Sequence, residues 1–152
     1  MAGMTNRGKK LLFDYYFRRQ GSLPTKFYIA LVTSATAPTP DTNLLSDLTQ
    51  IAVGNGYADG GYEISPNTTD FDMMIEDDSN DKSILMIKDI IWTASGGALP
   101  ASGNGARYAV LTTDEGTIAN RQVIAYWDLS LDRSVNSGVQ LQLKDLEIDL
   151  TE

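Results

Sequence analysis

Apolar residues recur at helical spacing most clearly near the beginning of the chain. Leu11, Leu12 and Phe13 each have an aromatic residue four positions later, and side chains at this spacing lie on one side of a helix. Basic residues surround the run, and Gly21 follows it in the position of a left-handed cap. The pattern predicts a basic amphipathic helix over residues 5–20.

From residue 27 onward the apolar residues form short runs bounded by Gly, Pro, Asn and Asp, which is typical of strands and turns. One segment differs, since Leu44, Leu45, Leu48 and Ile51 recur at helical spacing and predict a short internal helix within 43–51. We expect six strands in a mainly β protein, at residues 27–34, 62–65, 84–94, 107–113, 122–131 and 139–150.

The last predicted strand changes its pattern in the middle. Its apolar residues are odd-numbered before residues 144–145 and even-numbered after them: Val139, Leu141, Leu143, then Leu146, Ile148, Leu150. A shift by one residue sends every following side chain to the other face. A bulge or corner at 144–145 would keep both halves on one core, which favours an antiparallel β-sandwich with strands that bend between sheets.

The 152 residues fit one domain, with a basic helix and linker at 1–26 and a sandwich at 27–152. The chain has no His and no Cys, which excludes a Ser-His-Asp triad, a disulfide and the usual zinc sites. We expect no enzyme and no cofactor.

Charge is unevenly distributed. Residues 1–26 carry a net charge of +5, and the other 126 residues carry −13. Such an acidic body argues against nucleic acid as a partner, because phosphate contacts need a basic face. No apolar run approaches the length of a membrane span, so we expect no membrane partner. The basic segment 1–26 has two interpretations of equal weight: it is a solvated helix, or it is a docking surface.

Three sequence motifs resemble known functional sites only in part. Residues 3–10 read GxxxxGKK, but a P-loop needs a preceding strand and a hydroxyl after the lysine. Residues 70–81 are acidic, and Asp77, Ser79 and Asp81 copy the first half of a calcium loop. Lys82 and Lys88 stand where that loop has its Gly and its bidentate Glu. An exposed loop between strands is the favoured interpretation, with weak calcium binding left open. The carboxylate pairs Asp128/Asp132 and Glu147/Asp149 are of the kind used in glycoside hydrolysis. They alternate with apolar residues, however, as solvent-facing strand positions do.

Both tryptophans are predicted in the core. Trp127 falls on the apolar phase of its strand, and Trp92 shares a face with Ile84, Met86 and Ile90.

The order of several segments resembles the decoration, or cement, proteins of tailed-bacteriophage heads. The resemblance covers nearly the whole chain. It rests on the N-terminal helix followed by four segments: LxxLTxIxxGNGY at 45–57, WTASGG at 92–97, ARY at 106–108, and DLS…SGVQLQL at 128–143. It implies a jelly-roll-like β-sandwich behind an N-terminal helix, and a virion structural protein that bridges neighbouring capsid subunits without catalysis.

The resemblance also implies partners and a location. We expect the chain to bind the major capsid protein on the capsid surface after assembly in the host cytoplasm, as a homo-oligomer, a dimer or a trimer. The expected capsid or subunit contact lies on the helix: Arg7, Lys9, Lys10, Leu12, Phe13, Tyr16, Phe17, Arg18 and Arg19. The alternative function is a carbohydrate- or receptor-binding module of a head or tail fibre, which requires exposed tryptophans.

Overall fold

The computed structural model of the protein describes residues 2–151. Strands in this range form antiparallel sheets and are numbered in chain order: β1 (Ala2–Met4), β2 (Phe27–Val32), β3 (Tyr62–Ile64), β4 (Met73–Asp77), β5 (Lys82–Ile87), β6 (Ile90–Thr93), β7 (Ala106–Thr112), β8 (Val123–Arg133), β9 (Gln140–Leu143) and β10 (Leu146–Thr151). Helix α1 (Asn6–Phe13) continues as a π-helix, Asp14–Arg18. Two 3₁₀ turns, Leu45–Asp47 and Ile118–Asn120, complete the elements.

Two layers enclose the main core. One layer is a five-stranded sheet in the order β1-β8-β7-β2-β3, and the other consists of the sheets β10-β5-β4 and β6-β9. Buried side chains from both layers meet in one cluster, among them Leu31 of β2, Trp92 of β6 and Leu141 of β9. The predicted antiparallel β-sandwich behind an N-terminal helix is therefore confirmed.

The predicted internal helix is a single 3₁₀ turn, Leu45–Asp47, and the rest of residues 43–51 is not helical. Leu45 and Leu48 pack with Val32 and Val123 in a second buried cluster. Ile51 belongs to the main core. The apolar spacing in this segment therefore reflects burial of an irregular chain over the sandwich rather than helical periodicity.

The predicted change of phase at residues 144–145 is confirmed as a corner. β9 ends at Leu143, β10 begins at Leu146, and Asp145 has a left-handed φ of 52°. The neighbouring strand breaks at the same level, because β5 ends at Ile87 and β6 begins at Ile90. The side chains on both sides of these breaks remain in one core.

The second break corrects the predicted surroundings of Trp92. Residues 84–94 were expected to form one strand, with Ile84 and Met86 on the Trp92 face. Because the strand breaks at residues 88–89, Leu85 and Ile87 pack against the core instead. Ile84 and Met86 then lie on the opposite face, since side chains alternate along β5.

Two strands were not predicted. β1 is three residues long and contains Gly3, so it carries no readable pattern, and its pairing with β8 defines it. β4 lies inside the acidic stretch expected to be a loop, and it pairs with β5 from Met73 opposite Met86 to Asp77 opposite Lys82. Burial is a weak guide to β4, because its side chains are mostly exposed.

Candidate interaction surface on the N-terminal helix

Helix α1 is held against β8 by its first turn. The buried Thr5 hydroxyl accepts a hydrogen bond from the Gly8 N–H at 2.9 Å, which caps the helix, and donates to the Val123 carbonyl at 2.6 Å. At Gly8 the helix backbone approaches Ile124 so closely that a Cβ would lie 2.3 Å from its carbonyl oxygen. The second glycine of the GxxxxGKK motif therefore serves packing of the helix on the sheet.

The polar stripe of the helix contains a buried carboxylate. Asp14 is buried and accepts hydrogen bonds from the Lys10 ammonium and from the Arg18 guanidinium, the latter at 3.3 Å. The hydrogen bond from Lys10 and the positive charges of Lys10 and Arg18 hold the pKa of Asp14 below its usual value, against the opposing effect of desolvation. Leu11, also buried, is on the same side of the helix.

A cleft of about 540 Å³ lies between this side of the helix and the segment around residues 113–122. Its lining mixes both signs of charge, with Arg7 and Lys10 from the helix and Asp114 and Glu115 from the body. Desolvation raises the pKa of Asp114, but hydrogen bonds from the Thr25 hydroxyl and from the N–H groups of Thr25 and Lys26 outweigh it, so the pKa lies below its usual value. Arg7 and Lys10 are thus placed toward the body of the protein.

The aromatic side of the helix faces solvent. Phe13, Tyr16 and Phe17 are 61%, 69% and 72% exposed, and Leu12 is exposed beside them. The rings contact one another, with centroid distances of 6.0 Å between Phe13 and Phe17 and 5.0 Å between Tyr16 and Phe17. These four residues are called the helix patch.

Two cations accompany the helix patch. The Arg19 guanidinium lies 5.8 Å from the centroid of the Tyr16 ring, and Lys9 is exposed one helical turn before Leu12 and Phe13. Among residues 2–151 neither cation has a carboxylate within ion-pair distance. The expected contact set is therefore divided: Lys9, Arg19 and the helix patch share the outward surface, Arg7 and Lys10 line the cleft, and the exposed Arg18 binds Asp14.

The helix ends slightly earlier than predicted. The last helical residue is Arg18. Arg19 has a left-handed φ of 51°, and Gly21 has the positive φ, 82°, that was predicted for it. The Gln20 N–H closes the end by donating to the Asp14 carbonyl at 3.0 Å. Arg19 is held over Tyr16 by this reversal of the chain.

The tryptophans are buried, as predicted. Trp92 is 4% exposed and packs against the rings of Tyr57 and Tyr62. Trp127 is 6% exposed, and its indole N–H donates to the Glu147 carbonyl at 2.8 Å. Neither indole is available as a flat surface for stacking on a sugar ring.

One carboxylate of each pair that resembled a catalytic pair is bound by a cation. Asp128 accepts two hydrogen bonds from the Arg107 guanidinium at 2.9 and 3.2 Å, and this contact lowers the pKa of Asp128. Asp149 accepts from the Lys82 ammonium at 3.1 Å. A general acid needs a raised carboxyl pKa. The pKa of Asp128 is lowered instead.

The acidic stretch forms a hairpin, where a loop was expected. Asp77 ends β4 and accepts a hydrogen bond from the Asn80 amide at 2.8 Å across the turn. Asp70 lies apart, buried against Lys88 at 2.5 Å. Within residues 2–151 no three acidic side chains converge on one point as metal ligands would.

A second exposed apolar surface was missed by the sequence reasoning. It lies on the outer face of the β4-β5 hairpin and consists of Met73, Ile75, Ile84 and Met86, here called the sheet patch. One signal in the sequence points to it: residues 84–87 are apolar without interruption, so an antiparallel strand there presents apolar side chains on both faces.

The geometry thus defines a β-sandwich protein with an N-terminal helix and two exposed apolar patches. No protein-family model matches the chain, and neither curated proteins nor solved structures show a significant match to it. In the part of the chain that the structure describes, no helix has the length and apolar character needed to cross a membrane.

Proposed function

We propose that this chain is a cement protein of a tailed-bacteriophage head, which binds the assembled capsid surface and stabilises it through protein contacts without catalysis. The single observation that carries the proposal is the helix patch, where two phenylalanines and a tyrosine lie exposed beside Lys9 and Arg19. Soluble proteins rarely leave such a cluster uncovered unless it binds a partner.

The residue types of this surface suit a protein partner. Aromatic side chains and arginine are enriched in the energetically dominant parts of interfaces. Burying one phenylalanine ring stabilises a complex by about 1.5–3 kcal/mol before the entropic cost of association. Repetition of such a contact over a capsid lattice multiplies the effect, because each bound site raises the effective concentration at the next.

The way in which the helix is held also supports this role. β1, the Thr5 cap and the close approach at Gly8 tie the helix to β8. A contact on a rigid element loses less entropy on binding than a flexible tail does. The fibre-module alternative lacks the exposed tryptophans that its sugar contact requires.

The test is cosedimentation of purified protein with expanded empty heads assembled from the major capsid protein of the same genome. Phe13→Ser combined with Phe17→Ser should weaken binding by about tenfold or more. The matched control is Leu131→Ser with Val139→Ser, since these side chains are also exposed and apolar but lie outside the helix patch. Wild-type binding by the Phe13/Phe17 variant would reject the helix patch as the contact, and no binding by the wild type would reject the function.

Deletion of residues 1–20 is a poor substitute for these variants. It would remove β1 from the five-stranded sheet and the buried Thr5. A loss of binding would then report unfolding of the sheet edge as readily as loss of the contact.

A further inference from the structure

The sheet patch is an apolar surface at the edge of the second layer, in which Met73 and Ile75 are exposed and Ile84 and Met86 are partly exposed. Met73 lies opposite Met86 and Ile75 opposite Ile84, so the four side chains form two adjacent rows on one face. The core side of β5 and β10 carries Ile87, Leu146 and Ile148, so the sheet patch points away from the core. Within residues 2–151, β4 pairs only with β5 and is one edge strand of its sheet.

Acidic side chains frame the sheet patch. Glu147 and Asp149 extend the two rows on β10, opposite Met86 and Ile84. At the other end, Asp77 and Asp78 lead into the turn. Residues 72–81 contain five acids and no base, so the surroundings of the sheet patch are strongly negative, with Lys82 as the neighbouring cation.

The two apolar patches therefore carry opposite charge. The helix patch has Lys9 and Arg19 beside it, whereas the sheet patch has Asp78 and Glu147. Pairing two helix patches would bring cations together, and pairing two sheet patches would bring carboxylates together, which is unfavourable in each case. Only contact between a helix patch and a sheet patch joins apolar surface to apolar surface with complementary charge.

We propose that the helix patch of one copy of this chain docks on the sheet patch of a second copy. The inference rests on the proposed function for its place on the phage head. In any one chain the helix patch contacts either the capsid protein or a second copy, because either occupant covers the same four side chains. The contact joins two different surfaces, so it is heterologous unless a two-fold axis pairs both contacts between the same two copies. Such contacts form a closed ring when the rotation between copies closes, and an open chain otherwise.

Charge reversal tests the pairing directly. One variant carries Lys9→Glu with Arg19→Glu, and a second carries Asp78→Lys with Glu147→Lys. By sedimentation velocity, the wild type should associate, and each variant alone should run as single chains because both of its patches then have the same sign. An equimolar mixture should associate again, because every contact between unlike variants is complementary. The two variants then alternate, so a wild-type ring with an odd number of copies is replaced by assemblies with an even number. The matched control is Asp132→Lys, an exposed carboxylate of β8 outside both patches.

The outcomes separate the two proposals. A wild type that sediments as single chains at every concentration, a helix variant that still assembles, or a mixture that does not recover would each overturn the docking of copies. Cosedimentation with expanded heads is read in parallel: single chains that still bind heads assign the helix patch to the capsid protein. Assemblies that do not bind heads contradict the cement function while leaving the contact between copies intact.

Discussion

Gly8 and Ile124 are in such close approach that a methyl group on Gly8 would lie 2.3 Å from the Ile124 carbonyl oxygen and 2.9 Å from its Cα. The obstacle is backbone of β8, which is paired on both sides by β1 and β7. Gly8, one helical turn before Leu12, therefore determines where the helix patch lies on the sandwich.

Gly8→Ala should lower the free energy of unfolding by about 1–3 kcal/mol, because overpacking forces the helix away from the sheet. Urea denaturation measures the effect. Gly116→Ala is the matched control, since a methyl group there would meet no other atom within 4 Å and the φ of Gly116 is not left-handed. Equal stability of the Gly8 variant and the wild type would show that the helix can shift at no cost.

Asp14→Asn should loosen the helix, because Lys10 and Arg18 then lose their common carboxylate. Amide hydrogen exchange should become faster in residues 6–18 than in the wild type. The comparison variant is Asp72→Asn, at an exposed carboxylate outside the helix. Unchanged exchange would mean that β1 and the Thr5 cap alone hold the helix in place.

Acid should weaken the contact between Asp70 and Lys88. The hydrogen bond from Lys88, followed by the one from the Ser65 N–H, lowers the pKa of Asp70. A carboxyl group whose pKa is lower in the folded state stabilises the fold at pH values above its unfolded pKa of about 3.9. This stabilisation is lost as the pH falls through the pKa of the folded state. The stability difference between the wild type and Asp70→Asn should therefore be present at neutral pH and shrink in acid. A difference that is constant with pH would contradict this account.

Tyr57→Phe should destabilise the protein by about 1–3 kcal/mol, because it leaves the Leu31 N–H of β2 without its acceptor. The Tyr57 hydroxyl oxygen accepts from that N–H at 2.9 Å and is close to the Gln50 amide oxygen at 3.1 Å. Burial raises the Tyr57 pKa, so the phenol stays protonated at neutral pH. Tyr108→Phe, at a partly exposed tyrosine, is the control in urea denaturation, and equal midpoints for both variants would contradict the prediction.

Local pattern predicted much of the fold. The i, i+4 pairs located the helix, and the change of phase at residues 144–145 located the corner and indicated a sandwich, because one buried face constrains the register of a strand. The acidic hairpin was misread as a loop, since β4 is exposed on both faces and its pairing with β5 leaves no trace in its own composition.

The orientation of the helix followed from the tertiary structure alone. Helical spacing predicted that Leu12, Phe13, Tyr16 and Phe17 lie together on the helix. In the structure Leu11 and Asp14 are buried and the aromatic side is exposed. Gly8 and Thr5 determine which side meets β8, because the close backbone approach is possible only at a residue without a Cβ.

The sequence by itself determined the elements whose burial repeats with a regular period: the helix, most strands and the buried tryptophans. Tertiary structure decided the pairing of β1 and β4, the common corner of two strands and the two opposite-charged patches. The physical reason is distance along the chain. Periodicity reports which side of a segment is buried, whereas residues 9–19 and 73–86 become surfaces of one body only when long-range pairing has folded the sheets.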